Sequence, residues 1–77
     1  MTQKMKELEV GDRAQVTGFS GGSPAYRRKL LSMGLTLGAE FIVNRTAPLG
    51  DPVEIRVRGY SLSLRKHEAE ALDVCRI

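Results

Sequence analysis

Few side chains in this sequence could carry out chemistry. There is one histidine, His67, one cysteine, Cys75, and nine carboxylates set among twelve lysines and arginines. A Cys–His nucleophilic pair needs the two within hydrogen-bond reach and a third residue to orient the base. His67 lies in the polar stretch KHEAEA (66–71), and Cys75 lies in a separate short apolar alternation. They read as an exposed imidazole and a small filler thiol. Zinc and soft-metal sites need several Cys or His ligands at short spacing, and no such group exists. A hard cation could use Asp51 with Glu54, or Glu68 with Glu70 and Asp73. Neither set has the regular spacing of a calcium loop, so both read as surface carboxylates. The stretch Gly18-Phe19-Ser20-Gly21-Gly22-Ser23 lacks the Gly-Lys-Ser/Thr ending of a phosphate-binding loop. Its glycines read as turn residues. The sequence therefore predicts no catalytic residue, no cofactor and no metal site.

Binding surfaces are better represented. The net charge is +3, with the charges interspersed except at Arg27-Arg28-Lys29. A mild positive excess permits contact with nucleic acid, anionic lipid or an acidic protein surface and requires none of them. Arg45, Arg56, Arg58 and Arg65 could line one polar sheet face, as in small β-barrels that bind single strands. Against that module stand the interleaved Glu54 and the shortage of aromatics, which are only Phe19, Tyr26, Phe41 and Tyr60. Two loops also carry apolar residues. Met33-Gly34-Leu35-Thr36-Leu37-Gly38 contains Leu35 and Leu37, and Ala47-Pro48-Leu49-Gly50-Asp51-Pro52 puts Leu49 at a tip stiffened by two prolines. A rigid loop presenting a leucine is a docking surface, or else the leucine folds back as a lid on the core.

The elements that position these residues are short. The 77 residues are read as one domain, 1–77, with a 42% apolar content that suits a globular chain. Met5, Leu8 and Val10 form an apolar lead-in to a turn at Gly11-Asp12. Residues 13–19 alternate as a first strand, with a bulge or bend at Gly18. Ser23 as N-cap and Pro24 at the first helical position open a helix running to Met33, with Gly34 as left-handed C-cap. Tyr26, Leu30 and Met33 share its apolar face, widened by Leu31. Residues 39–47 form a strand. Residues 53–57 and 60–64 then form a hairpin with Val57 opposite Tyr60, Ile55 opposite Leu62 and Val53 opposite Leu64. Arg58-Gly59 is an unusual two-residue turn, and a slightly longer loop is the alternative. One helical turn and a last short strand, Leu72 to Arg76, complete the count. The fold class is mainly β, a small barrel of about five strands with one short helix near the start and a helical turn before the last strand. Lack of a long apolar run and of a signal-peptide pattern places the chain in the cytoplasm, as does a lone cysteine.

Residues Tyr26 to Phe41 (YRRKLLSMGLTLGAEF), Ala47 to Pro52 (APLGDP) and Val57 to Arg65 (VRGYSLSLR) together resemble the FeoA family. The resemblance covers nearly the whole chain, and three motifs occur in the family's order. The family's Gly-Leu-Thr-Pro-Gly turn has Leu37 here in place of proline. The resemblance implies an SH3-like barrel, related in fold to the C-terminal domain of DtxR-type repressors. It also implies a non-enzymatic accessory role with FeoB, the GTPase-bearing permease for Fe(II), and recruitment to the inner face of the membrane through it. No nucleic-acid partner and no direct membrane insertion are expected, and weak self-association is left open. The expected docking residues are Arg28, Lys29, Leu31, Met33, Leu35, Leu37 and Leu49, with the cations steering toward an acidic partner. On this reading Leu35→Asp and Leu49→Asp fold normally but bind FeoB weakly.

Overall fold

Strands form where the period-two pattern is strongest. The computed structural model describes residues 3–20 and 24–77. Five strands, β1 (Arg13–Phe19), β2 (Glu40–Thr46), β3 (Val53–Val57), β4 (Tyr60–Leu64) and β5 (Leu72–Arg76), form one sheet in the order β4-β3-β2-β1-β5. All pairings are antiparallel. Helix α1 (Pro24–Ser32) connects β1 to β2, and the five-residue α2 (Lys66–Glu70) connects β4 to β5. Single 3-10 turns occupy Met5–Glu7 and Pro48–Gly50. The expected N-cap Ser23 lies outside the described residues, as do Gly21 and Gly22.

The hairpin has the expected register, with Val57 opposite Tyr60, Ile55 opposite Leu62 and Val53 opposite Leu64. Its turn is two residues long. Arg58 and Gly59 both take positive φ, 51° and 85°, the backbone of a type I′ turn. An Arg58 guanidinium N–H donates to Thr36 Oγ1 at 3.2 Å, which holds the strained arginine in place. The β1 register against β5 shifts between Val16 and Gly18, where a bulge was expected. A second shift falls between Val43 and Arg45 of β2, with no glycine to announce it. The ladder does not close between β4 and β5. Instead Gln3 covers the free edge of β5, exchanging backbone hydrogen bonds with Val74 at 2.6 and 2.9 Å.

The inner face of the sheet is closed by α1 and the turn after it. Leu30 is fully buried, and Tyr26 and Met33 pack partly buried against the core. Gly34 ends the helix at φ 95°. The Leu35 N–H donates to the Leu30 carbonyl and the Gly34 N–H to that of Leu31, both at 3.0 Å. This pair of bonds is a Schellman motif, which brings the residue after the glycine back onto the last turn of the helix. Leu35 is consequently a core residue with no exposed surface, which corrects its assignment to the docking surface. Tyr60 approaches the same helix end from the hairpin. Its ring is partly exposed, and its hydroxyl donates to the Met33 carbonyl at the helix end. A Cβ on Gly34 would fall 2.2 Å from the Tyr60 hydroxyl oxygen, so this position excludes a side chain on steric as well as backbone grounds. In the lead-in, Met5 and Leu8 are buried while Val10 is exposed.

Charge fixes the two ends of the remaining elements. Glu68 on α2 is buried, and its two oxygens have separate partners. Oε1 accepts the Arg65 N–H at 2.9 Å, capping α2, and Oε2 pairs with Lys29 of α1. The Lys29 ammonium and the Arg65 N–H together hold the Glu68 carboxyl below its ordinary value, against the opposing effect of burial. At the other end, Lys4 donates to Asp73 Oδ1 at 2.7 Å and to Ser20 Oγ at 2.9 Å. Ser20 in turn donates to the same Asp73 oxygen at 2.6 Å. These hydrogen bonds lower the Asp73 carboxyl as well.

Two outcomes are expected. Leu35→Ala should cost about 2–5 kcal/mol in urea unfolding, as a buried leucine truncation does, and Leu35→Asp should not fold. Lowered folded-state carboxyls contribute stability that is complete above their ordinary values, 4.5 for Glu68 and 3.8 for Asp73. That contribution is lost as pH falls through the lower folded values. The melting temperature should therefore hold from neutrality to about pH 5 and drop below it, and Glu68→Gln, less stable at neutrality, should drop less steeply. Parallel pH curves for the two proteins would refute the assignment to Glu68.

Candidate docking surface

The segment Ala47–Asp51 shows most clearly what the fold does not require. Pro48 opens a 3-10 turn, and Leu49 (φ 71°, ψ 6°) and Gly50 (φ 76°) follow in left-handed backbone. The loop is closed by the Gly50 N–H donating to the Ala47 carbonyl at 2.8 Å and the Ala47 N–H to that of Pro52 at 3.1 Å. Asp51 Oδ1 accepts the Lys66 N–H at 3.1 Å, anchoring the loop to the start of α2. Left-handed backbone costs a leucine about 1–2 kcal/mol, and no burial offsets it here. The Leu49 side chain is fully exposed, so it is presented to solvent and is not a lid on the core.

Beside Leu49 lies a groove of about 270 Å³ between the Met5–Glu7 turn, the Pro48–Gly50 turn and α2. Met5, Leu8, Val53 and Ala69 form its floor, each buried but for a few per cent of its surface. Lys4, Lys6, Lys66 and Glu70 stand at its rim. The lead-in and α2 read in the sequence as connectors, and of the groove's lining only Leu49 is an expected docking residue.

The helix end supplies a separate set. Leu31 is 37% exposed and Leu37 64%, Met33 is half-buried, and Arg28 is exposed. Arg28 makes no ion pair among the described residues, whereas Lys29 is engaged with Glu68. Its charge is locally neutralised, which weakens it as a steering cation. None of these residues lines the groove, so the structure does not bring Leu49 and the helix end together there.

The four arginines expected to line one sheet face are also dispersed. Arg56 and Arg58 share a shallow depression with Arg13, Ile42 and Glu40 on the outer face. Arg45 is the strand partner of Glu54, and Arg65 precedes α2. Phe41 is buried, and Phe19 lies under the Arg27 guanidinium, 5.5 Å from its ring centre. The other reactive groups are dispersed too. His67 is exposed on α2 with Nδ1 3.9 Å from Glu70, and Cys75 faces Gln15 across the β1–β5 ladder. Glu68 and Asp73 each have a lysine partner, and among the described residues no three His, Cys, Asp or Glu side chains are grouped to hold a metal. No helix among them is long and apolar enough to cross a membrane.

Comparison with known proteins places this arrangement. The fused Fe(2+) transport protein A/Fe(2+) transporter FeoB of Porphyromonas gingivalis (strain ATCC BAA-308 / W83) is 35% identical over 71 residues, 92% of this chain. The chain spans 8% of that relative's length. The solution structure of FeoA from Chlorobium tepidum is 45% identical, with a TM-score of 0.86 over 97% of this chain and 70% of that one. A manganese-dependent transcriptional repressor superposes with a TM-score of 0.89 over 99% of this chain and 37% of its own, at 19% identity, a likeness of fold alone. The FeoA domain profile matches residues 3–76, which takes in every strand, both helices and the groove. With its five-stranded SH3-like sheet and the presented Leu49 loop inside that match, the chain belongs to the FeoA family.

Proposed function

We propose that this chain is a non-enzymatic accessory protein of ferrous iron uptake that docks on the cytoplasmic part of FeoB. The observation that carries this reading is the Porphyromonas gingivalis relative, in which a homologous segment and FeoB are one polypeptide. A fusion holds the two at high effective concentration, and separate chains must supply the equivalent affinity through a surface. The docking surface proposed here comprises Arg28, Lys29, Leu31, Met33, Leu37 and Leu49, the set expected from the sequence without the buried Leu35. Exposed leucines held on rigid backbone lose little conformational freedom on binding, which favours their use as anchors. Arg28 and the net charge of +3 would speed association with an acidic partner more than they would deepen affinity. The protein would then act in the cytoplasm, held at the inner face of the membrane through FeoB.

Leu49→Gly separates interface from core. Glycine takes the left-handed backbone without strain, so unfolding stability should stay level or rise by about 1 kcal/mol. Affinity for the purified cytoplasmic part of FeoB from the same organism, read by biolayer interferometry, should fall about tenfold. Unchanged affinity in both Leu49→Gly and the double variant Leu31→Asp, Leu37→Asp would overturn the proposed surface. Lack of wild-type binding would overturn the FeoB reading itself.

A further inference from the structure

The groove beside Leu49 has a chemistry of its own. Its floor is apolar, formed by Met5, Leu8, Val53 and Ala69. Its volume, about 270 Å³, falls below the range of about 300–1,000 Å³ usual for small-molecule sites and suits one or two aliphatic side chains. The rim carries three lysines against the single carboxylate Glu70. Lys4 is engaged by Asp73, but Lys6 and Lys66 are exposed and make no ion pair among the described residues. One wall is Leu49, whose strained, fully exposed placement the fold does not use.

We infer that this groove binds an acidic amphipathic segment of a protein partner, with aliphatic side chains on the floor against Leu49 and carboxylates at Lys6 and Lys66. Charge complementarity selects this occupant. A basic or neutral apolar segment would leave both ammonium groups facing like charge or no charge, and like-charge contact is what excludes wrong partners. Apolar anchors in a groove with a polar rim are the common mode of helix-in-groove recognition. The inference deepens the FeoB reading and rests on it for the partner's identity, not for the chemistry of the groove.

The test uses the full chain, labelled with 15N, and two synthetic ten-residue peptides of leucine with glutamate and of leucine with lysine. The acidic peptide should shift amide signals of Met5, Leu8, Val53 and Ala69, and the basic one should not. The double variant Lys6→Glu, Lys66→Glu should weaken acidic-peptide binding about tenfold while keeping the wild-type spectrum elsewhere. Equal binding of both peptides, or shifts confined to other surfaces, would overturn the inference. So would groove signals that move on simple dilution of the free protein, since a second copy would then be the occupant. The same double variant is measured against the cytoplasmic part of FeoB. Wild-type binding with an unaffected variant overturns the groove as the FeoB site and leaves the FeoB reading standing. Absent wild-type binding removes that reading and leaves the peptide result to decide the groove.

Discussion

The structure depends on the way α1 is stopped. A chain of this size has one small core, and five short strands supply only one side of it. The other side comes from a nine-residue helix too short to persist alone. Gly34 ends that helix and turns the chain so that Leu35 returns beneath Leu30, and both are completely buried. Tyr60 then closes over the glycine from the hairpin, with its hydroxyl on the Met33 carbonyl. The Lys29–Glu68 pair ties the last turn of the helix to α2. These three attachments hold the helix on the sheet. A side chain at position 34 would disturb two of them at once.

What lies outside this requirement is where function is to be sought. The Pro48–Gly50 turn contributes no buried residue and holds a leucine in backbone that favours glycine. Local strain that the fold does not need is more often retained for recognition than for stability. The turn also borders a groove whose floor belongs to the core and whose rim carries three lysines and one glutamate. One surface therefore combines rigidity, apolar area and an excess of positive charge. Those properties suit a docking surface.

Much of this was legible in the residues. The alternation of Val53, Ile55 and Val57 against Tyr60, Leu62 and Leu64 set the hairpin register, and Gly18 marked the bulge. Leu49 stood out because two prolines flank it. Leu35 was misplaced for a specific reason. Gly34 reads as a cap, but the apolar partner that such a cap draws onto the helix lies one residue beyond it, in what has the composition of a loop. Glu68 was hidden because a glutamate in KHEAEA has the composition of a solvated turn. The approach of Lys29, thirty-nine positions earlier in the chain, joins the local Arg65 N–H in making its burial tolerable. The groove was invisible for a related cause. Its walls come from residues 4–8, 46–53 and 66–70, which no local pattern joins.

The proposed docking runs through the Leu49 surface of this chain and not through its outer sheet face. The most direct measurement is the footprint of the unlabelled cytoplasmic part of FeoB on the amide and methyl signals of the labelled chain. Line broadening should centre on Leu49 and extend to Met5, Leu8 and Ala69 and to Leu31 and Leu37 at the helix end, with the Arg13, Arg56 and Arg58 face left sharp. A footprint centred on those arginines, with the Leu49 methyls unchanged, would contradict it.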